Sequence, residues 1–488
     1  MVASKKDIYD VIIIGGGVGG LTCGCFLAKA GKKVLIIEKN PKIGGYCNSF
    51  KQNGFTFDFG IRALSHSKED SYLYKIIKED LNLNIELIKT EITDCIITPD
   101  YKINFYSDIN RTIDELISIF PKESKNINLL FDLINNINKN SILASFYQEF
   151  KNRTFKYLLD KYFKNEKLKF ILTIPIGNLG LSSFEVSAIS SIMLYHGYLF
   201  KGGHYIKGGM QTLVNALLTN FKKHGGKILL SNKVYRIEFI KNNIKKIFSN
   251  NRDFFYAKEV VCNCDPSFVI SNLISKNILN KKYFLEFKKL KPSTSAFILY
   301  LGLKDTIRKN IDNCCGLWYY FNYKFDDFYF NLSRNKINFN NINHLLFAFP
   351  SFHDKNLAPK NCESIMMILW SPYKNRNFWY KNAKHFKETL INKAKNLIPN
   401  LSSIIQVEKI TSPVFLNQYT LSRNGSVRGW EALPSQLRVS KLLEEILKKR
   451  IFFVGQWSTH YAPGGLFTAI FSAKKIANII LTKTKEKK

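Results

Sequence analysis

The stretch Asp10-Val11-Ile12-Ile13-Ile14-Gly15-Gly16-Gly17-Val18-Gly19-Gly20-Leu21 decides how this chain folds. Val11 to Ile14 is a short apolar run rich in β-branched residues, the signature of a buried parallel strand. Gly15, Gly17 and Gly20 then fill the fixed places of a G-x-G-x-x-G loop. Leu21 to Ala30 reads as a helix of small residues, and Gly31 ends it where a left-handed residue is wanted. Lys33 to Ile37 is the next apolar strand, closed by Glu38. Strand, glycine loop, helix, strand and terminal acid in this order predict an α/β, Rossmann-like unit that binds a dinucleotide.

Each part has a physical task. Gly15 permits the tight turn, Gly17 lets the backbone approach a diphosphate, and Gly20 lets helix and strand pack closely. The helix start offers unpaired N–H groups and a partial positive charge to an anion. Glu38, 23 positions beyond Gly15, can accept hydrogen bonds from ribose hydroxyls, and an acid there argues against a 2′-phosphate. Gly15, Gly17, Val18, Gly19, Gly20, Glu38 and Lys39 are therefore the expected cradle.

Pro41 to Gly45 ends in a second glycine pair, Gly44-Gly45, and Phe55-Thr56-Phe57-Asp58-Phe59-Gly60 alternates like a strand. With these features the sequence resembles the flavin-dependent amine oxidase and phytoene desaturase superfamily, whose members carry an "FDxG" strand beside the flavin. Pro350-Ser351-Phe352-His353-Asp354-Lys355-Asn356-Leu357-Ala358-Pro359 is similar to the "PSxxDxxLAP" stretch of the phytoene desaturase branch. Tyr419 to Trp430 resembles its "GSxxGW" stretch. The resemblance implies FAD as cofactor, with Gly44, Gly45 and Gly60 near it and the Val234 backbone near the adenine. It also implies that the strand Ile451 to Val454, followed by Gly455, brings the chain back to the flavin. Pro463, Gly464, Gly465 and Leu466 would then open a helix, running through Ile480, against the flavin ring. The family usually has Gly-Asp after that strand; here Gln456 follows Gly455, and its amide can still hydrogen-bond.

The expected organisation is a Rossmann-like FAD-binding domain interleaved with a mixed-sheet plus helical substrate domain. Residues 1–70, 201–275 and 441–488 would form the FAD-binding parts, 71–200 a helical lid and 276–440 the substrate domain. Helices are predicted at Ser71 to Leu81, Ile113 to Phe120, Ile127 to Ile137, Phe155 to Phe170 and Gln211 to Lys223. Strands are predicted at Lys227 to Leu230, Val234 to Ile240, Ile244 to Phe248, Glu259 to Cys262, Ser295 to Leu303, His344 to Phe349 and Ser364 to Trp370, with Asn242-Asn243 as a turn.

The charge of +34 arises from 72 Lys and Arg against 38 Asp and Glu over 488 residues. Lys is interspersed with Asn, Ile, Phe and Tyr everywhere, a genome-wide compositional bias unaccompanied by any nucleic-acid motif. Nucleic-acid binding is not expected. A salt-sensitive attraction to an anionic membrane surface suits a lipid substrate. Nine scattered cysteines without a C-x-x-C pair point to a reducing compartment and to no metal site; Cys23 and Cys25 read as small packing residues. The polar N-terminus and the lack of an eighteen-residue apolar run predict neither signal peptide nor membrane span, and so a cytoplasmic or membrane-peripheral protein.

The relatives implied by the resemblance are phytoene desaturases, carotenoid isomerases and retinol saturase, which use FAD to remove, add or shuttle hydride on long polyenes. Such chemistry asks for a dry apolar tunnel rather than strong acid–base groups, and 39 Phe with 24 Tyr are ample to line one. Arg62, His204, Tyr205 and His460 (with Tyr461 beside it) are the candidate catalytic residues, although Arg62 follows an Ile61 where the family has proline. Two other readings are a flavin oxidase acting on an amine or small molecule, and a non-catalytic binder like the prenyl-lipid escort proteins.

Overall fold

The computed structural model describes residues 8–240, 244–250, 254–275, 281–309, 311–337, 342–437, 439, 442–443, 448, 450–458 and 464–485. The apolar run of the glycine-loop unit forms the strand Ile8–Ile14, flanked in parallel by Val34–Ile37 and Phe254–Cys262. Lys227–Leu229 extends the sheet beyond Val34–Ile37, and the antiparallel strands Val234–Phe239 and Lys245–Ser249 extend it on the other side. Ile451–Phe453 pairs in parallel with the C-terminal half of Phe254–Cys262. The inner strands are buried on both faces because helices cover them: Val18–Lys29 packs against Met210–Lys223 and Leu466–Lys485. Cys23 and Cys25 are buried in that helix packing, and the Cys25 thiol donates to the Leu217 carbonyl oxygen (3.2 Å). The predicted turn Asn242-Asn243 lies outside the described residues.

A second sheet runs in the order Ile405–Thr411, Ser295–Leu303, Glu363–Ser371, His344–Ala348, Cys314–Tyr320, Ile92–Ile97, Lys102–Tyr106. Strand pairing sets its two faces, because alternate residues point to opposite sides. Ala296 lies opposite Trp370, and Ile298 opposite Ile368, which in turn neighbours Leu346; these share one face. Phe297, Leu299, Met367 and Leu369 share the other and pack against Trp379 and Phe386 of the helix Arg376–Ala394.

The segment 71–200 departs from the all-helical expectation. Ile92–Ile97 and Lys102–Tyr106 form a hairpin in the second sheet, the former parallel to Cys314–Tyr320. Strand formers (Ile92, Thr93, Ile96, Ile97, Ile103, Phe105 and Tyr106) on either side of a Pro99-Asp100 turn explain the hairpin. The predicted helix Phe155 to Phe170 is two helices, Phe155–Tyr162 and Glu166–Thr173. Asn165 caps the second by accepting from the Leu168 N–H (3.0 Å), and Glu123 accepts from the N–H groups of Lys164 and Asn165. The remaining helices of the segment, from Ile109–Ile119 to Ala188–Tyr195, cover the Ala296–Trp370 face of the second sheet. No helix among the described residues is long and apolar enough to cross a membrane.

Candidate functional site

The glycine loop is built around backbone constraints that only glycine meets. Gly15 holds φ at +102°, and a Cβ on Gly20 would lie 2.2 Å from the Gly15 carbonyl oxygen. Gly17 is the N-cap of Val18–Lys29; it offers no side-chain acceptor, and the first turn carries no acid. The helix therefore presents N–H groups and a positive dipole end, and no carboxylate of the described residues hydrogen-bonds to its first turn. Gly44 donates to the Gly16 carbonyl oxygen (3.0 Å), so the second glycine pair closes directly on the first loop.

Glu38 is 7% exposed, and both its carboxylate oxygens are engaged by backbone. Oε2 accepts from the Gly16 N–H (2.7 Å) and Oε1 from the Asn40 N–H (2.8 Å). Each oxygen keeps a lone pair for a ribose hydroxyl. Lys39 turns its amine to the Gln418 carbonyl oxygen (2.7 Å), and burial draws the amine below its ordinary value. Val234 is buried beside Asn232, whose Oδ1 is buried without a partner among the described residues. This arrangement fits an adenosine diphosphate half: an open helix start, a carboxylate with lone pairs to spare and an amide oxygen without a partner among the described residues.

Asn263 was not singled out in the sequence. Its N–H donates to the Ile14 carbonyl oxygen (2.8 Å), and its side chain reaches into the glycine loop, where Nδ2 donates to the Gly15 carbonyl oxygen (3.3 Å). Across that loop lies Gly455 (φ +96°), pinned by its N–H to Ser472 Oγ (3.0 Å) on the last helix. Gln456 follows, with Nε2 only 3.5 Å from the Ser426 carbonyl oxygen, leaving most of its hydrogen-bonding capacity to the cavity it lines.

These residues line one arm of a continuous cavity of about 330 Å³. The other arm is apolar: Ala296, Ile298, Leu346 and Ile368 from the second sheet face Met193 and Leu194 of the helix Ala188–Tyr195. Gly60, Gly465 and Leu466 border the junction, and Gly20 and Gly464 serve packing behind it: a Cβ on Gly464 would lie 2.1 Å from the Arg428 carbonyl oxygen.

Arg62 lines the junction but is tied down. Nη1 pairs with Asp94 Oδ1 (2.6 Å), Nη2 donates to Asn178 Oδ1 (2.8 Å), and the guanidinium lies between the rings of Tyr198 and Trp318. Burial alone would pull Arg62 down; the Asp94 carboxylate outweighs it and holds the group above its ordinary value. His204 and Tyr205 are not in the cavity wall. The Nδ1 of His204 shares a hydrogen with Ser67 Oγ (3.0 Å), and the fully buried Tyr205 hydroxyl donates to Asp58, which also accepts from Ser49 Oγ and the Met210 N–H. Both act as structural pins: their strand His204–Ile206 pairs with Leu87–Lys89, and their polar atoms are engaged by Ser67 and Asp58. His460, Tyr461 and Pro463 lie outside the described residues.

His66 does line the cavity and carried no sequence signal beyond being a lone histidine in a loop. Its ring stacks on Phe467 (centroids 3.6 Å apart, planes 12°), and Gly197 is required because a Cβ there would meet the imidazole at 2.0 Å. Burial, with help from His196 and Lys201, pushes His66 down to about 3, so it is a neutral ring at any physiological pH.

Comparison with known proteins agrees with this geometry. Residues 18–481 match the family described as flavin containing amine oxidoreductase. The 4,4'-diapophytoene desaturase (4,4'-diaponeurosporene-forming) of Staphylococcus haemolyticus is 25% identical over 82% of this chain and 82% of its own. The all-trans-retinol 13,14-reductase of Danio rerio is 26% identical over 49% of this chain, which spans 44% of that protein's length. An oxidoreductase from Methanosarcina mazei superposes with a TM-score of 0.67 at 17% identity, over 96% of this chain and 99% of that one, a likeness of fold. The family match runs from Val18, at the start of the first helix, into the last helix, and the chain belongs to the flavin-containing amine oxidoreductase family as a flavin-dependent oxidoreductase.

Proposed function

We propose that the protein holds FAD along the glycine-loop arm and exchanges hydride with a hydrophobic polyene, a carotenoid, retinoid or other isoprenoid lipid, seated in the apolar arm. The observation that carries this reading is the continuity of the two arms. One void joins Gly17 and Glu38 to a wall of Ile298, Leu346 and Ile368, so an apolar carbon chain can lie directly against whatever fills the first arm. When bound, FAD supplies the hydride acceptor or donor; the protein's part is to bind, orient and exclude water.

The residues divide that work. Gly15, Gly17, Val18 and Gly19 receive the diphosphate at the helix start, Glu38 the adenosine ribose, and Gly455, Gln456 and Gly465 the remaining half. The apolar sheet face desolvates the substrate. A delocalised polyene needs no strong acid or base beside it, which agrees with a cavity whose His66 is neutral and whose Arg62 is already paired. The polyene relatives named above support this substrate class over an amine.

Two measurements test the reading. Purified protein should carry a flavin absorption spectrum, with FAD released on denaturation; a colourless preparation that cannot be reconstituted would leave only an escort-like binder. Anaerobic mixing should bleach that flavin with a polyene lipid, and bleaching by amines alone would sink the substrate assignment.

A further inference from the structure

Arg428 is the second guanidinium in the cavity wall, and it is held very differently from Arg62. Its backbone N–H donates to Ser293 Oγ (2.9 Å), and its Nη1 donates to the Gly464 carbonyl oxygen (3.1 Å). Among the described residues no carboxylate lies within ion-pair distance of it. Burial, and repulsion from Arg62, draw it down to about 10, which still leaves it a cation at neutral pH. Arg428 is half-buried, and a partly desolvated cation without an anion is costly unless a ligand completes it.

A second positive feature converges on the same spot. Gly465 and Leu466 line the cavity at the start of the twenty-residue helix Leu466–Lys485, whose first turn carries no acid. A Cβ on Gly465 would lie 3.1 Å from Arg428 Nη1, so the guanidinium sits beside that helix start. The order of residues along the cavity fixes which ligand group arrives there. Glu38 and Val234 mark one end of the nucleotide arm, Gly17 its middle, and Asn263 bridges Gly17 to Gly455, beyond which come Gln456, Gly465 and Arg428. A linear dinucleotide laid from Glu38 through Gly17 therefore brings its half remote from adenosine to Arg428.

We propose that Arg428 is the charge partner of the flavin ring and meets the negative charge that the ring gains on taking hydride. This rests on the FAD reading above. The balance is simple: a hydride leaving a substrate C–H bond carries two electrons and one hydrogen nucleus, so it leaves one positive charge spread over the delocalised carbon chain and places one negative charge on a neutral ring that receives it. A fixed cation beside that charge favours the reduced ring.

The test is the two-electron midpoint potential of the FAD-loaded protein, measured by dye-coupled reduction without substrate. Arg428→Met and Arg428→Gln should favour the oxidised form by at least tenfold, a fall of about 30 mV for a two-electron couple. Arg428→Lys, which keeps the charge, should stay close to the unmodified protein. If Arg428→Met loses FAD, Arg428→Gln, which can still donate to the Gly464 carbonyl oxygen, carries the measurement. Neutral variants that hold FAD at an unchanged potential overturn the proposal and assign Arg428 to an anionic group of the substrate. Loss of FAD from both neutral variants overturns it too, making Arg428 a binding group. An unmodified protein that takes up no FAD fails the cofactor reading instead.

Discussion

The side-chain amide of Asn263 occupies the space beside Gly17: a Cβ on Gly17 would lie 2.9 Å from Asn263 Nδ2. Asn263 Oδ1 would be 2.7 Å from a Cβ on Gly19 and 2.6 Å from one on Gly455. One asparagine thus requires glycine on both sides of the nucleotide arm. Sequence reasoning explains Gly17 by the approach of a diphosphate; the structure adds a protein side chain that already fills that direction.

This relationship separates two causes of the same loss. Gly17→Ala should weaken FAD binding by roughly tenfold, about 1.4 kcal/mol, because Asn263 must move. In the Asn263→Ala background the added methyl has room, and Gly17→Ala should then cost little more than Asn263→Ala alone. FAD titration of the four proteins gives the coupling, expected at about 1 kcal/mol. Additive losses would place the clash with the cofactor itself.

Asp94 balances Arg62 inside the protein, so Asp94→Leu should destabilise the fold by about 3–5 kcal/mol by leaving a buried guanidinium unpaired. Gly316→Ala should also be severe, since its methyl would lie 1.5 Å from Arg62 Nη1 and 2.5 Å from Asp94 Oδ1. The double variant Arg62→Met, Asp94→Leu removes both charges and should recover much of the loss in urea denaturation. A double variant as unstable as Asp94→Leu would show that packing, not charge, holds this wall.

His204 and Tyr205 lie behind the cavity wall, so His204→Ala should leave turnover and FAD occupancy within about twofold of the unmodified protein, well under 1 kcal/mol. Tyr205→Phe removes one of three donors from the buried Asp58 and should cost about 1–3 kcal/mol of stability with equally little effect on turnover. A hundredfold fall in turnover with an unchanged melting temperature would return Tyr205 to the chemistry.

Four histidines, His196 and His344 buried and His66 and His353 half-buried, make the fold sensitive to mild acid. Burial holds His66 and His344 near 3 and His196 and His353 near 4, against an ordinary value of 6.5. As pH falls from 6.5 towards 5, the unfolded chain takes up protons at these sites and the folded chain does not, so stability is lost. Glu431, pushed up to about 7 by burial, protonates only when folded and offsets one of them. Each net proton contributes a slope of up to about 1.4 kcal/mol per pH unit. Thermal midpoints across this window should fall less steeply for His344→Gln and more steeply for Glu431→Gln; identical slopes would reject these assignments.

What was legible in the sequence was local. Val11 to Glu38 announces its fold because strand, loop and helix are neighbours in the chain, and Ser295–Leu303 because all nine of its residues are buried. The hairpin Ile92–Tyr106 has a local turn signal at Pro99-Asp100, but the partner strand that gives it a place in the sheet, Cys314–Tyr320, lies more than two hundred positions later. Asn263 and His66 were missed for a related reason. An asparagine in Cys262-Asn263-Cys264 and a histidine in a loop acquire meaning only from Gly17, Gly455 and Phe467, all distant in sequence. The glycines that flank Tyr205 (Gly202, Gly203, Gly208 and Gly209) serve a turn and a helix start rather than the cavity.

The strand Ile451–Phe453 closes the first sheet against Phe254–Cys262, and the residues just after it, Gly455, Gln456 and Gly465, form the last wall of the nucleotide arm. During synthesis, at roughly 5–20 residues per second, the glycine loop emerges long before Gly455 to Gly465, and its opposite wall does not exist until they follow. On the proposed reading, cofactor capture therefore waits until Gly465 has been made. A chain cut short before residue 451 would offer the flavin the glycine-loop side alone, however well its first two hundred residues had folded.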